Sequence, residues 1–89
     1  MPAKVLKDAM RHATLSFEGL SEEDINSGKC FEFARIVFDL VEGSKIAGHN
    51  IDGHGHSWIE YEGKCYDAEC SQGVLFWGNL PFFKRLARK

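Results

Sequence analysis

"HSWIEYEGKCYDAE", residues 56–69, has the alternation of apolar and polar side chains that is typical of a β-hairpin. Glu62 and Gly63 stand at its centre, where a two-residue turn needs a glycine or another residue that tolerates a positive φ. If these two residues form the turn, Ile59 pairs with Tyr66, and every other pairing follows from that register. The stretch therefore predicts the central hairpin of an antiparallel sheet.

The same register places four side chains on one face of the hairpin, because side chains alternate along a strand. They are His56, Trp58, Asp67 and Glu69. Glu69 would lie opposite His56. Asp67 would be the diagonal neighbour of His56, at about 7–8 Å between Cα atoms and within side-chain reach. The hairpin is thus predicted to bring an imidazole together with a carboxylate, either Asp67 or Glu69.

A cysteine precedes the hairpin at the start of an amphipathic stretch. "NSGKCFEF", residues 26–33, contains turn-forming residues, then Cys30, then an apolar-rich run. A helix is predicted from Cys30 onward, with N-cap chemistry from residues 26–28 and a stop at residues 43–44. Cys30 is therefore expected in the first turn, facing inward. The apolar positions of the helix recur at spacings of three and four: Cys30, Phe33, Ala34, Val37, Leu40 and Val41.

These residue types suit nucleophilic catalysis by a thiol. A free cysteine is only slightly ionised near neutral pH, and a helix N-terminus with a neighbouring imidazolium lowers the pKa of a thiol. The imidazole in turn needs a third group that fixes its tautomer. Cys30 is the candidate nucleophile, His56 the candidate base and Asp67 the candidate orienting group. The backbone N–H of Cys30 is a candidate oxyanion donor; the alternative for Cys30 is a buried structural side chain.

The remaining segments complete a small α+β domain. Residues 3–15 have a helical apolar stripe, and residues 21–24 ("SEED") fit a capping box. Residues 44–50 are a candidate strand, and residues 73–83 are rich in aromatic side chains and lead into a basic, partly helical tail. The order of two helices and then a small antiparallel sheet predicts one α+β domain over residues 1–89.

Composition argues against several classes of protein. With 89 residues, 44% of them hydrophobic, the chain suffices for one folded domain and is too apolar for a disordered one. A net charge of −2 gives no reason to expect nucleic acid as a partner. The three cysteines form no dense disulfide framework, no signal peptide is visible, and no apolar run is long enough for a membrane helix. The expected location is the reducing cytoplasm, without a membrane partner.

The motifs around the candidates resemble the papain-like superfamily of cysteine enzymes, and most closely its transglutaminase-like branch. Glycine-x-cysteine opens a helix, His-x-Trp follows on a strand, and an aromatic residue with aspartate follows on the next strand. "SGKCFEFARIVF" is also similar to the cysteine region of arylamine N-acetyltransferases. The resemblance covers residues 28–69. It implies a minimal papain-like fold, with the nucleophile at a helix N-terminus packed on a small antiparallel β-sheet.

By this resemblance the chain would be a cysteine peptidase or amidase, or a transglutaminase-like acyltransferase. It would act on an amide or acyl bond of a peptide or protein, without a cofactor. The matching positions are Cys30 as nucleophile, His56 as base, Asp67 as orienting carboxylate and Trp58 as the aromatic residue after the histidine. Papain-like peptidases also have a glutamine shortly before the cysteine as an oxyanion donor. Asn26 is the candidate for that role here, because the glutamine of this chain lies far downstream.

Two other functions fit parts of the sequence. A non-catalytic binding protein could keep the papain-like scaffold and use segment 73–83 to dock on a protein partner or on a second copy of the chain. A metal-binding domain could draw ligands from five residues of the sheet: His49, His54, His56, Cys65 and Cys70. However, the two cysteines are five positions apart, which is wider than the paired-cysteine clip of structural zinc sites. The sequence therefore favours a thiol enzyme.

Overall fold

Four antiparallel strands form one sheet in the computed structural model, which describes residues 4–88. Each strand pairs with the next in chain order: β1 (Lys45–Ile51), β2 (His54–Tyr61), β3 (Lys64–Asp67) and β4 (Cys70–Val74). Four helices complete this part of the chain: α1 (Lys4–Leu15), α2 (Glu22–Gly28), α3 (Cys30–Leu40) and α4 (Pro81–Ala87). The predicted α+β class is confirmed. The predicted helix start at Ala3 and the final residue, Lys89, lie outside the described residues.

Two of the three β-hairpin turns have the backbone conformation that a residue followed by glycine favours. They are Asp52-Gly53 between β1 and β2, and Glu62-Gly63 between β2 and β3. All four residues have positive φ angles, between 49° and 83°, as the type I′ turn of two-residue hairpins requires. The predicted register is confirmed, because Ile59 pairs with Tyr66. The turn predicted over residues 51–55 is shorter, since the outer residues of that range belong to strands.

Helix α3 begins without a side-chain N-cap. The sequence predicts that residues 26–28 cap this helix, and that prediction is wrong, because these residues form the end of α2. Lys29 stands at the N-cap position of α3, and its side chain makes no capping hydrogen bond. Helix α2 itself begins as predicted, since Ser21 and Asp24 form a capping box. The residues before α3 therefore provide no side-chain cap for its first N–H groups, where Cys30 lies.

The second strand of the central hairpin is shorter than the sequence predicts. β3 ends at Asp67, and Glu69 lies in the turn before β4. The prediction that Glu69 pairs opposite His56 is therefore wrong. The ladder between β3 and β4 is irregular between Cys65 and Asp67, which a simple pairing rule cannot anticipate. β4 itself has no alternating pattern in the sequence, and the sequence does not predict it.

The sheet has an apolar core on each of its faces, because adjacent residues of a strand point to opposite sides. Ile59 and Tyr66 pack in the core formed with α1 and α3. Trp58 and Cys65 pack on the other face, in a core that α4 closes. The sheet is thus the middle layer of three. His56, two residues before Trp58, shares the α4 face.

The aromatic segment predicted over residues 73–83 divides among several elements. β4 ends within it, a 3-10 turn covers Trp77–Asn79, and Pro81 is the first residue of α4, where a helix tolerates proline. Phe83 is buried in the core on the α4 face, whereas Phe76 is 54% exposed. The segment therefore serves mainly to carry α4 back over the sheet.

Candidate active site

His56 and Asp67 form a buried pair on the α4 face of the sheet. His56 Nε2 lies 2.8 Å from Asp67 Oδ2, and the exposed fractions of the two side chains are 0% and 2%. The other carboxylate oxygen, Oδ1, accepts a hydrogen bond of 3.0 Å from the backbone N–H of Glu69. With Asp67 on Nε2, the second ring nitrogen of His56, Nδ1, is left to exchange a proton with a nucleophile.

Cys30 stands beside the His56 ring at the start of α3. The thiol and the ring interact closely enough that each shifts the pKa of the other, and both residues line the same surface depression. His56 Nδ1 is buried and has no hydrogen-bond partner of ordinary geometry among residues 4–88. The sulfur and the ring are therefore neighbours without a hydrogen bond of ordinary geometry between them.

The surroundings of Cys30 favour its thiolate. Burial alone would raise the pKa of the Cys30 thiol. Interaction with His56 and the backbone N–H groups of Ser57 and Phe31 outweighs burial, so the pKa of Cys30 lies below its ordinary value. A thiolate accepts from these donors more strongly than a thiol does, because the acceptor carries a charge.

The surroundings of the other two cysteines raise the pKa of the thiol instead of lowering it. Burial raises the pKa of Cys65, and the charge of Glu60 raises it further. Burial also raises the pKa of Cys70, against the effect of a backbone N–H group. All three cysteines are free thiols, so Cys30 is the one whose surroundings promote nucleophilic attack near neutral pH.

The His56 ring is stabilised in its protonated form. Burial alone would lower the pKa of His56, but the hydrogen bond and charge of Asp67, together with the contact with Cys30, raise it above its ordinary value. The raised pKa of the ring and the lowered pKa of the thiol describe one process, in which the thiol proton moves to Nδ1. The arrangement can thus form a thiolate–imidazolium pair.

Solvent reaches the half-buried Cys30 through a shallow depression of about 340 Å³. Gly48 lines this depression, and a Cβ atom there would lie at ordinary contact distance, 3.4 Å, from the backbone oxygen of His56. A hollow of about 400 Å³ between α1 and the start of β4 contains none of the candidate residues, so size alone does not identify the site. The depression is lined by Cys30, Gly48, His49, Asn50, Gly55, His56 and Ser57.

Aromatic side chains cover the His56 ring on the α4 side. Phe82 stacks on the ring, with 4.4 Å between centroids and 10° between planes, and Phe83 approaches edge-on at 5.6 Å. Trp58, which the sequence analysis places near the imidazole, lies 6.2 Å from it and is buried in the same core. A dry environment of this kind strengthens the interaction between His56 and Asp67.

Asn26 and Glu69, two further candidates from the sequence, contact each other. Asn26 Nδ2 donates to Glu69 Oε1 at 2.7 Å, and Arg85 donates to both oxygens of Glu69, at 2.7 and 2.8 Å. The hydrogen bonds from Arg85 lower the pKa of Glu69 despite its burial, and the bond from Asn26 lowers it further. Of the two carboxylates that the sequence offers, Asp67 is the one that contacts the imidazole. The role of Asn26 as an oxyanion donor stays a prediction.

Phe82 and Arg85 are the residues near the site that sequence reasoning missed. In the sequence they belong to an aromatic run and a basic tail, both of which are ordinarily core or surface features. Their spacing of three does place them on one side of a helix, but nothing in the sequence indicates which surface α4 covers. Only the packed structure brings them to His56 and Glu69.

The other histidines and cysteines of the sheet do not gather around one point. His49 packs against Trp77, with 4.5 Å between ring centroids and a tilt of 40°, and Cys65 belongs to the core beside Trp58. Within residues 4–88, no group of three or more His, Cys, Asp or Glu side chains is arranged to hold a metal ion. Within the described residues, the Nε2 atom of His56 is in hydrogen-bond contact with Asp67, and the ring belongs to no metal-binding group.

Comparison with known proteins finds no relative of this chain. No protein-family model matches it, and neither a curated protein nor a solved structure does. Over the described part of the chain, none of the helices has the length and apolar character needed to cross a membrane.

Proposed function

We propose that this protein is a thiol enzyme, a cysteine hydrolase or acyltransferase that acts on an amide or acyl bond through Cys30, His56 and Asp67. The observation that carries the proposal is the placement of the His56 ring. Its Nε2 is 2.8 Å from Asp67, and Cys30 lies close enough to the ring to lose part of its proton affinity to it. This is the order of groups that an activated cysteine requires.

The same arrangement supports a minimal papain-like or transglutaminase-like fold. The helix that carries the nucleophile, α3, packs on the antiparallel sheet that carries the base and the orienting acid. Cys30 is the first residue of that helix, so the partial positive charge of the helix N-terminus favours its thiolate. These features are the ones that the resemblance in the sequence implies.

In the first half of the proposed reaction, the Cys30 thiolate attacks the carbonyl carbon of the substrate and forms a C–S bond. The negative charge moves to the carbonyl oxygen, where the backbone N–H of Cys30 would donate a hydrogen bond. Asn26, the candidate from the sequence for a second donor, is buried and donates to Glu69. The His56 imidazolium then gives its proton to the leaving group. The C–N or C–O bond breaks, and an acyl thioester remains on Cys30.

In the second half, His56 takes a proton from water or from an amine as that molecule attacks the thioester carbonyl. The C–S bond breaks and the thiolate is restored. Hydrolysis and acyl transfer differ only in the acceptor, and the open depression beside Cys30 admits either. The proposed substrate is a peptide or protein segment. A reducing location such as the cytoplasm would keep Cys30 in the thiol form.

The alkylation rate of each cysteine tests this proposal. The folded protein is treated with iodoacetamide at neutral pH, and each cysteine is followed by mass spectrometry with N-acetylcysteine as a reference thiol. Cys30 is expected to react roughly tenfold faster than the reference, and His56→Gln should remove that advantage. His54→Gln, at an exposed position on the same strand, should keep it. A Cys30 that reacts no faster than the reference rules the thiol enzyme out.

Turnover is tested separately with activated esters, thioesters and peptide amides. An acyl enzyme adds the mass of the acyl group to the peptide that contains Cys30. Cys30→Ser should abolish the adduct, or replace it with a more slowly formed ester. The class of compound that leaves an adduct, and the acceptor that removes it, would define the reaction.

A second candidate function is a binding protein that uses the same scaffold without turnover. The observation in its favour is the exposed apolar pair before the 3-10 turn, because Leu75 is 80% exposed and Phe76 54%. Such a pair can contact a protein partner or a second copy of the chain. An unreactive Cys30, together with dimerisation that Leu75→Ser and Phe76→Ser abolish in analytical ultracentrifugation, would favour this function.

A further inference from the structure

Glu69 has more hydrogen bonds than a turn residue needs. Its Oε1 accepts from Asn26 and from Arg85, both at 2.7 Å, and its Oε2 accepts from Arg85 at 2.8 Å. The Glu69 side chain is 16% exposed and that of Arg85 is 35% exposed. Such a bidentate, partly buried pair is stronger than an ordinary surface salt bridge. The pair therefore fixes the turn between β3 and β4 to α2 on one side and to α4 on the other.

That turn also controls the carboxylate of Asp67. The backbone N–H of Glu69 donates to Asp67 Oδ1 at 3.0 Å, and Oδ2 of the same carboxylate lies 2.8 Å from His56 Nε2. A carboxylate held at both oxygens has little freedom to rotate. The position of the His56 ring consequently depends on the backbone of residue 69, which the ion pair with Arg85 holds in place.

Helix α4 acts on His56 by a second contact. Phe82 and Arg85 are three residues apart, and therefore on the same side of the helix. When Arg85 binds Glu69, Phe82 stacks on the imidazole at 4.4 Å. The ring is thus held at its edge by Asp67 and on its face by Phe82, and one ion pair secures both contacts.

We propose that Glu69 and Arg85 are positioning residues, which hold Asp67 and the His56 ring so that Nδ1 faces Cys30. This inference rests on the proposed thiol chemistry, and it assigns a role to two residues that contact neither the sulfur nor the substrate depression. The charged groups that act on the His56 ring are Asp67 from β3, Cys30 from α3 and Glu69 from the following turn. Arg85 from α4 acts on Glu69 and Asp67, and Glu23 from α2 acts on Arg85. Removing one member of the pair changes the charge near Asp67, so both members must be varied.

The test measures Cys30 alkylation by iodoacetamide as a function of pH in four variants: Glu69→Gln, Arg85→Met, the double variant and Arg85→Lys. Each single change to Gln or Met is expected to slow Cys30 roughly tenfold at neutral pH and to move the midpoint of the pH profile upward. The double variant should be no slower than the slower single variant, because the two residues act as a unit. Arg85→Lys should recover part of the rate, since it keeps the charge but loses the bidentate geometry.

Arg35→Met is the matched control. It removes an arginine that pairs with Asp39 at 3.2 Å on the exposed side of α3, and it should leave the pH profile of Cys30 unchanged. Thermal unfolding of every variant shows which ones remain folded. If Glu69→Gln or Arg85→Met does not fold, the pH profile of Arg85→Lys decides the question.

A second readout reports the His56–Asp67 contact directly. The proton between His56 Nε2 and Asp67 should give a downfield NMR signal that broadens by faster exchange in Glu69→Gln. A fast wild-type Cys30 with an unchanged profile in the folded variants overturns the positioning role alone. A wild-type Cys30 no faster than N-acetylcysteine overturns the thiol enzyme itself, so the two failures are distinct.

Discussion

Asp67 Oδ2 and His56 Nε2 lie 2.8 Å apart, in a layer from which solvent is almost entirely excluded. A carboxylate in this position fixes the tautomer of the imidazole and stabilises its protonated form. The second ring nitrogen is then directed to the side of Cys30. The reactivity of the sulfur should therefore depend on residues that it does not touch.

Removal of the Asp67 charge should reduce the reactivity of Cys30. Asp67→Asn keeps the size of the side chain but loses the charge that raises the pKa of His56. We expect alkylation of Cys30 to slow roughly tenfold at neutral pH, because less of the sulfur is thiolate. Asp39→Asn, which removes an exposed carboxylate paired with Arg35, should have no effect. Equal rates in the two variants would contradict the assignment of Asp67.

The pH profile of Cys30 should move to higher pH in His56→Gln. In the wild type the pKa of Cys30 is lowered, so the alkylation rate should reach half its maximum at a lower pH than for an ordinary thiol. In His56→Gln the interaction with the ring is lost, while burial still raises the pKa of Cys30 against the backbone N–H groups of Ser57 and Phe31. The midpoint should then lie above that of the wild type, as measured by mass spectrometry across the pH range. A midpoint that does not respond to His56 would show that the ring and the sulfur are uncoupled.

Loss of the Phe82 ring should affect both stability and reactivity. Phe82→Ala removes the ring that stacks on His56 at 4.4 Å, and we expect a loss of about 2 kcal/mol in the free energy of unfolding. Water would also reach the His56–Asp67 pair, so Cys30 alkylation should slow. Phe76→Ala, at an exposed aromatic position of the same segment, should cost less than about 0.5 kcal/mol. Urea denaturation measures both values, and similar losses would mean that α4 does not cover the ring.

Two glycines with the same backbone conformation should respond differently to alanine. Gly63 and Gly73 both have φ of 81°, so alanine is strained at either position, by about 1 kcal/mol. A Cβ atom at Gly73 would lie 2.6 Å from the ring of the buried Tyr66, whereas at Gly63 it would meet nothing within 4 Å. Gly73→Ala should therefore destabilise the protein by about 3 kcal/mol and Gly63→Ala by about 1 kcal/mol. Equal losses in urea denaturation would show that β4 does not pack on Tyr66 as described.

The sequence predicts best those elements whose pattern is local. The register of the central hairpin follows from Glu62-Gly63, since a two-residue turn fixes every later pairing. The predicted pairing fails beyond Asp67, because the ladder between β3 and β4 is irregular and depends on contacts with a neighbouring strand. Likewise, "NSG" at residues 26–28 has the composition of an N-cap, but the capping box at Ser21 begins a helix earlier and includes those residues in it. A local signal was present in both cases, and a competing contact elsewhere in the chain overrode it.

The candidate site divides in the same way. His56 and Asp67 share a face because of strand alternation, so the sequence alone brings them together. The choice between Asp67 and Glu69 stayed open in the sequence, since it depends on where β3 ends. The contacts of Phe82 and Arg85 depend on the direction in which the chain returns after β4, and no local pattern encodes that direction. The sequence thus predicts contacts between side chains within the hairpin. It does not predict the contacts that Phe82 and Arg85 of α4 make with the hairpin and its following turn.

The three-layer arrangement also has a consequence for biosynthesis. Cys30 and the hairpin leave the ribosome before α4, the element that covers His56 and holds the turn after β3. Until that helix is translated and docks on the sheet, the imidazole would be exposed to solvent and free to rotate. Cys30 would then be a thiol of ordinary reactivity. On the proposed chemistry, Cys30 would therefore become a reactive thiol only once α4 has docked on the sheet.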